Sequence, residues 1–164
     1  MNKQDTIYER MLNFVKDVAH EAEDGLSIKL QYLTDKVRQR ADSLGEYTRE
    51  EIDQVADYLQ RDIQDAAEYL SKEGKELQDW LKFDVELVED KVLELLSGAI
   101  NTTNIELDEL SRTAQQENLW YKNETTGPGS FVCDQCGREI QIFKIQALPV
   151  CENCDGEIFK RISA

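Results

Sequence analysis

Four cysteines at fixed spacing constrain this chain more than any other feature of its sequence. They form two Cys-x-x-Cys pairs, Cys133 with Cys136 and Cys151 with Cys154, and fourteen residues separate the pairs. Each pair can turn two sulfurs toward one centre, and two such pairs supply the tetrahedral set of four sulfurs that Zn²⁺ prefers. The spacing therefore predicts one structural zinc ion, held by all four cysteines in a ribbon over residues 131–164.

The residues between and after the cysteines favour short β-strands. Residues 139–142 alternate polar and apolar side chains, and a further strand is predicted over residues 157–162. Gly137 directly follows a ligand, where a positive φ closes a tight turn around the sulfurs. A ribbon of about 35 residues has too small a core to be stable by itself, so we expect its folding to depend on the metal.

Two other roles for the cysteines stay open at this point. An iron site or an iron–sulfur cluster uses similar ligands. A thioredoxin-type redox pair needs a strand–helix–strand setting, and the residues around neither pair supply it. Four thiolates also fill the coordination sphere of zinc, which leaves no position for a reacting water and disfavours a catalytic metal.

The first part of the chain is acidic and helical. The whole chain carries 34 acidic and 19 basic side chains, a net charge of −15, and residues 1–126 account for −14 of it. Apolar residues recur there every three or four positions, with no proline before Pro128. We predict a mainly α fold: an acidic bundle, elongated antiparallel hairpin or coiled coil over residues 1–122, a linker over residues 123–130, and the small β ribbon.

Punctuation within the helical part predicts where its helices begin and end. Gly45 marks a turn, and Thr48 with Glu51 reads as a capping box that starts the next helix. The apolar series then continues to residue 99, as one bent helix or as two helices that meet near residues 71–75. A second break is expected at residues 97–99, followed by a last helix that contains Ile105, Leu110 and Ala114.

Other functional signals are weak. The sequence has no nucleotide-binding loop and no nucleophile–histidine–acid set, and a lone Asp17-x-x-His20 is read as ordinary helix surface, so we expect no enzyme. Trp80 and Trp120 are interpreted as packing residues, with Trp120-Tyr121 a candidate for docking the ribbon onto the helices. We see no secretory signal and no apolar run of about 20 residues that could span a bilayer, so we predict a cytoplasmic location.

Nucleic-acid binding by the ribbon is the competing prediction. It depends on three aromatic and four basic residues, namely Phe131, Phe143, Phe159, Arg138, Lys144, Lys160 and Arg161. Phosphate contacts normally dominate such binding, yet the ribbon has a net charge of −1 and the helical part repels phosphate. The charge therefore disfavours a nucleic-acid partner.

Several segments give the chain a family resemblance over nearly its whole length. They are Gly-Glu-Tyr-Thr-Arg-Glu-Glu-Ile-Asp at residues 45–53, Arg-Asp-Ile at residues 61–63, Gly-Pro-Gly-Ser at residues 127–130, the two cysteine pairs, and Phe159. In these the chain resembles the YbeL-like bacterial zinc-ribbon proteins, a group of unknown function. The resemblance implies a cytoplasmic helical region with a zinc ribbon, and no catalytic residues. The family typically has glycine after its last cysteine, where this chain has Asp155 and then Gly156.

These features together predict a non-enzymatic interaction or adaptor protein. The ribbon would be a rigid recognition head for a protein partner, and the acidic helices a spacer that could also self-associate. An alternative is an acidic regulator that mimics nucleic acid and docks on the transcription or translation machinery. A third hypothesis is a redox or metal-handling protein, which predicts exchangeable zinc and reactive thiols.

Overall fold

The computed structural model describes residues 2–21, 28–70, 76–101, 105–106 and 119–162. Its helices are α1 (Lys3–Glu21), α2 (Leu30–Ser43), α3 (Arg49–Leu70), α4 (Leu77–Leu81) and α5 (Asp90–Asn101), with a 3-10 turn at Val85–Leu87. Within these described ranges, no helix has both the length and the apolar character needed to cross a bilayer.

The start of α3 confirms the predicted capping box. The Glu51 amide donates to Thr48 Oγ1 at 3.2 Å, and the Thr48 amide donates to a Glu51 carboxylate oxygen at 3.0 Å. These two bonds satisfy amides that a helix start would otherwise leave without partners. Gly45, in the turn before this cap, has a φ of +68°. The sequence therefore located the turn and the beginning of α3.

The helices bury one apolar face each in a shared core. The face of α3 contains the predicted series Ile52, Val55, Leu59, Ile63 and Ala66, all buried. Helix α1 packs against α2, α3 and α5, and α2 also packs against α3. One member of this core comes from the cysteine-containing part of the chain, because Ile145 is buried among the helical residues.

The strands form one larger antiparallel sheet and two small pairs. The large sheet has the order β3 (Leu119–Tyr121), β8 (Ile158–Arg161), β5 (Gly129–Cys133) and β6 (Glu139–Ile142). Strands β4 (Thr125–Thr126) and β7 (Gln146–Ala147) form an antiparallel pair, and β1 (Ile28–Lys29) lies parallel to β2 (Ile105–Glu106). The central strand β8 thus joins β3 to the rest of the ribbon.

The predicted fold class, a mainly α hairpin or bundle with a small appended ribbon, is wrong. Over the residues that it describes, the structure combines five helices with a four-stranded sheet, and that sheet includes residues 119–121, which the predicted boundaries place in the helical part. The strand at 119–121 depends on tertiary packing that a periodic pattern does not show. Trp120 is fully buried and meets the Phe131 ring edge-on at 5.9 Å.

The helix boundaries after residue 76 also differ from the prediction. Residues 71–75 lie outside the described part of the chain, but α4 ends at Leu81 because Lys82 adopts a left-handed φ of 59°. Asp84 then caps the 3-10 turn by accepting from the Glu86 amide at 3.0 Å. Helix α5 continues through the break that we expected at residues 97–99.

The predicted last helix is wrong where it can be compared. Ile105 lies in β2, paired with Ile28, rather than in a helix. Leu110 and Ala114 lie outside the described residues. The apolar spacing in this segment therefore did not distinguish a strand from a helix.

Residues 123–130, which read as a linker, are mostly buried at the junction between helices and sheet. Thr125 is fully buried and its hydroxyl donates to Asp5 of α1 at 3.0 Å. The Ser130 hydroxyl donates to the Leu81 carbonyl of α4 at 2.8 Å. Glycine, proline and hydroxyl residues are typical of exposed loops, but here small side chains let the backbone approach the helices closely.

One buried carboxylate connects most of the elements that meet at this junction. Asp62 of α3 is 2% exposed and accepts four hydrogen bonds at 2.6–3.0 Å. The donors are the Tyr8 hydroxyl, the Trp120 indole nitrogen, the Thr126 hydroxyl and the Gly127 amide. With Arg161 these residues form what we call the Asp62 cluster.

Arg161 of β8 supplies the opposite charge. Its side chain is fully buried, and Nη2 lies 3.4 Å from Asp62 Oδ1. Its other contacts include the Pro128 carbonyl at 2.8 Å and the Trp80 ring, whose centroid lies 4.3 Å from Cζ. A buried charge requires such pairing, since an uncompensated one is strongly destabilising.

The cluster keeps both of its acidic groups in defined protonation states. Burial by itself would raise the pKa of Asp62, but Arg161, Arg61 and the bonds from Tyr8 and Gly127 outweigh it, so the pKa lies below its ordinary value. Burial, followed by the charge of Asp62, raises the pKa of Tyr8 well above 10. Asp62 is therefore ionised and Tyr8 is a neutral donor at neutral pH.

We predict that Asp62→Asn lowers the free energy of unfolding by about 3 kcal/mol at pH 7, since it removes the nearer of the two carboxylates that neutralise the buried Arg161, Asp62 at 3.4 Å and Asp65 at 3.8 Å. The lowered pKa of Asp62 makes this contribution complete above the ordinary aspartate value of about 3.9 and lost as the pH falls through the folded value. Urea unfolding of both proteins from pH 7 down to pH 2 measures the difference.

Asp57→Asn is the matched control on the same helix. Asp57 pairs with Arg38 but its side chain is 69% exposed, so we expect a change of less than about 1 kcal/mol. Equal stability losses for the two variants would contradict the role assigned to Asp62.

Candidate metal centre

The four cysteines converge, as their spacing predicted. Their sulfur atoms all lie within 4.8 Å of one another. The sulfurs of Cys133 and Cys154 lie 3.6 Å apart, as do those of Cys136 and Cys151. A tetrahedron with Zn–S distances of about 2.3 Å has edges of about 3.8 Å. The four sulfurs are thus positioned to bind one metal ion, and they are free thiols rather than disulfides.

The first knuckle, residues 133–138, is a closed backbone turn. The Cys133 amide donates to the Arg138 carbonyl at 2.8 Å, and the Gly137 amide donates to the Cys133 carbonyl at 2.9 Å. Gly137 has a φ of +76°, which glycine adopts without a steric penalty. This turn directs the two sulfurs of the first pair toward the same side.

The second knuckle, residues 151–156, repeats this hydrogen-bond pattern. The Cys151 amide donates to the Gly156 carbonyl at 2.9 Å, and the Asp155 amide donates to the Cys151 carbonyl at 2.8 Å. Asp155 occupies the position equivalent to Gly137 and has a φ of 57°, a conformation that aspartate tolerates better than most residues. The knuckle therefore closes even though glycine is displaced by one residue.

Gly156 has a separate steric role beside the sulfurs. A Cβ at this position would lie 2.9 Å from the Cys133 sulfur and 3.1 Å from the Cys154 sulfur. By contrast, a Cβ on Gly137 would meet no atom within 4 Å, so that glycine is needed for its backbone angle alone. This close approach explains why glycine, which has no Cβ, fits beside the four sulfurs.

The four cysteines lie at the edge of the ribbon core. Cys133 and Cys151 are buried beside Phe131, Leu148 and Phe159, Cys154 is half-buried and Cys136 is exposed. Cys133 ends β5 and pairs with Phe159 of β8. Two of the seven residues in this core are thus cysteines, which makes the core depend on what holds the sulfurs together.

The surroundings of Cys136 and Cys154 shift the pKa values of these two thiols in opposite directions. A hydrogen bond from the Asn153 side chain, with help from the Arg138 amide, lowers the pKa of Cys136 to about 6. Burial raises the pKa of Cys154 to about 12. Metal binding requires thiolates, so a bound cation must displace protons from the less acidic sulfurs.

In the part of the chain that the structure describes, these cysteines form the one group of three or more typical ligands close enough to hold a metal ion. The side chain of His20, in the other motif considered, is outside that part. Sulfur-only ligation at this spacing fits Zn²⁺, and it also fits iron.

The basic residues proposed for nucleic-acid binding are not gathered into one positive surface. Arg138 lies 3.6 Å from Glu152, and Lys160 lies 2.9 Å from Asp134. Arg161 is fully buried against the helices. Phe131 and Phe159 are also buried, whereas Phe143 is partly exposed and contacts Phe83. Of the four basic side chains, that of Lys144 is exposed and has no ion pair among the described residues.

Sequence reasoning named Trp120 as a candidate docking residue, and Trp120 does donate to Asp62 of α3, but it missed the other residues that attach this centre to the helices. Asp62 was given no role of its own, Arg161 was a candidate for nucleic-acid binding, and Gly129 read as linker. A Cβ on Gly129 would overlap the Arg161 guanidinium, at 1.8 Å from Nη1, so the Gly-Pro-Gly segment makes room for that side chain. The one sequence signal was that Arg-Asp-Ile at residues 61–63 and Gly-Pro-Gly-Ser at residues 127–130 both contribute to the family resemblance.

Comparison with models of protein families gives a match over most of the chain. A family model described as a zinc-ribbon containing domain matches residues 16–163. No curated protein and no solved structure matches the chain. The match confirms the zinc-ribbon part of the resemblance, and the YbeL-like bacterial assignment stays a prediction.

We predict that Gly156→Ala weakens metal binding by tenfold or more, about 1.4 kcal/mol, because the added methyl group pushes against two ligand sulfurs. Competition with a chromogenic zinc chelator measures the affinity. Asp155→Gly is the paired control: it removes a left-handed non-glycine residue and should preserve or improve stability, by up to about 1 kcal/mol. Unchanged affinity in Gly156→Ala would contradict the steric role of Gly156.

Proposed function

The chain belongs to the family of zinc-ribbon containing domains, and on that premise we propose that it is a non-enzymatic, zinc-binding interaction protein. The ribbon is a rigid head that binds a protein partner, and Cys133, Cys136, Cys151 and Cys154 hold one structural Zn²⁺. The helices form an acidic body that presents this head. The proposed location is the cytoplasm.

The observation that carries this proposal is the closed cluster of four sulfurs. Four thiolates complete the tetrahedral sphere of zinc, so the site leaves no position for a substrate or an activated water. Such a site stabilises a fold instead of supplying a reaction. The backbone hydrogen bonds of Cys133 and Cys151 close the two knuckles and so hold the four sulfurs in place for the metal.

Electrostatics favours a protein partner over a nucleic acid. The ion pairs of Arg138 and Lys160 reduce the attraction of the ribbon surface for phosphate. The net charge of −14 over residues 1–126 repels a polyanion and attracts a basic surface. The same field opposes close self-association of the helices, although high salt would screen it.

An alternative function follows from the exposed acidic surface of α2 and α3. Asp35, Asp53 and Asp57 are each more than half exposed and surround Arg38. A surface of this kind could mimic a phosphate backbone and dock the protein on basic components of the transcription or translation machinery. This alternative shares the zinc ribbon and differs in the partner.

Metal analysis of the purified chain tests the proposed site. We expect about one zinc per chain, with thiols that resist labelling until a strong chelator removes the metal, since all four sulfurs are ligands. Elemental analysis gives the zinc content per chain, and thiol titration before and after chelation gives the number of protected thiols. Iron in place of zinc, a reversible disulfide or rapid labelling of the native protein would overturn the structural zinc site and support a redox role.

Affinity capture separates the two partner classes. The intact chain and a Cys151→Ser variant are used as baits at low and high salt. The proposed recognition by the ribbon predicts a partner that the variant loses at both salt concentrations. The acidic-mimic alternative predicts basic nucleic-acid-binding proteins that the variant retains and that about 0.5 M salt releases, since exposed charges are then screened.

A further inference from the structure

The attachment of the sheet to the helices passes through the strand that follows the second knuckle. Strand β8 begins at Ile158, four residues after Cys154, and ends at Arg161. It pairs with β5 and with β3, and Cys133 is directly opposite Phe159. The Asp134 amide, next to a ligand, also donates to the Ile158 carbonyl at 2.9 Å. The position of β8 is therefore set by the knuckles.

The contacts of Arg161, in contrast, reach the helices. Its guanidinium meets Asp62 of α3 at 3.4 Å and Asp65 of the same helix at 3.8 Å. It also covers the face of Trp80 in α4, which is fully buried and donates to Asp65 at 2.8 Å. One side chain of the metal-dependent sheet thus neutralises and covers the helical surface beneath it.

Loss of β8 would leave that helical surface in an unfavourable state. Asp62 would lose Arg161, and it would also lose Trp120, because β3 is held in the sheet by β8. Tyr8, Thr126 and Gly127 would still donate to Asp62, and Arg61 would remain 3.9 Å away. The carboxylate, at 2% exposure, would nevertheless have lost its closest cation and one hydrogen bond, so its burial would become less favourable and its hydration more favourable. Reaching water requires α3 and α4 to separate from the strands.

We propose that the Asp62 cluster is a metal-sensitive latch between the ribbon and the helical layer. With the metal bound, Arg161 holds α3 and α4 against the sheet. When the metal is removed, β8 is released, Asp62 becomes hydrated, and the apolar surface around Trp80 and Leu81 is uncovered. The latch depends on the proposed metal site, and it makes the helical layer respond to metal although it contains none of the four ligands.

Hydrogen exchange of the full chain tests the latch. The probe is the chelator itself, with zinc content and thiol reactivity measured on the same samples. Removing the metal is expected to speed exchange by about tenfold or more at residues 58–70 and 76–81, as well as in the ribbon. The fluorescence of Trp80 and Trp120 should shift toward that of exposed indole, and adding zinc back should restore both signals.

Arg161→Met separates the latch from the metal site. This variant keeps all four cysteines and the apolar part of the side chain, so it should still bind one zinc with protected thiols. Its zinc-loaded form should nevertheless exchange at residues 58–70 and 76–81 as fast as the stripped wild-type protein. Lys160→Met is the matched control on β8, because Lys160 is exposed and pairs with Asp134, away from the helices. It should behave as the wild type.

The outcomes distinguish the latch from the site on which it depends. A chain that binds no metal overturns the proposed zinc site, and the latch with it. Stripping that exposes the thiols but leaves exchange at residues 58–70 and 76–81 unchanged overturns the latch alone. If Arg161→Met does not fold, removal and restoration of zinc in the wild-type protein decide the question without it.

Discussion

The architecture depends on a carboxylate buried where the helices meet the sheet. Asp62 faces donors from α1, β3, β4 and the residue after β4, and its charge is balanced by Arg161 of β8. Hydrogen bonds to an ionised group are stronger and more directional than apolar contacts. Apolar packing by itself tolerates small shifts of a sheet on its helices, whereas the directional bonds that Asp62 accepts from five donors oppose such shifts.

The backbone of the chain is adapted to that charge pair. The carbonyl of Pro128 accepts from Arg161, and the missing side chain of Gly129 provides the space that its guanidinium occupies. Trp80 and Phe131 cover the same cation with their rings, whose centroids lie 4.3 Å and 4.6 Å from Cζ. A segment with the composition of a flexible loop is therefore one of the most constrained parts of the molecule.

The sequence predicted features that local chemistry determines. The cysteine spacing placed the four sulfurs, the Thr48 box located the start of α3, and helical spacing identified the buried face of α3. The prediction failed where contacts between residues distant in the sequence determine the secondary structure. Trp120 joins a strand because Phe131 and Asp62 are there to receive it, and Lys82 ends a helix although the apolar series continues. Although Trp120 was a candidate docking residue, nothing in the local sequence predicts a strand at Trp120 or the end of a helix before Lys82. Charge and periodicity therefore gave a bundle with an appended ribbon instead of helices joined to a sheet.

The strand order has a consequence for how the chain acquires its structure. Asp62 and Arg161 are 99 residues apart, and β8 lies between β3 and β5, both of which precede it in the chain. During synthesis the helices emerge long before the strand that neutralises their buried carboxylate. Burial of a carboxylate is costly until it is neutralised, so the closest counter-charge of Asp62 becomes available only with β8. The strand that completes the junction is therefore synthesised after every helix and strand that it joins.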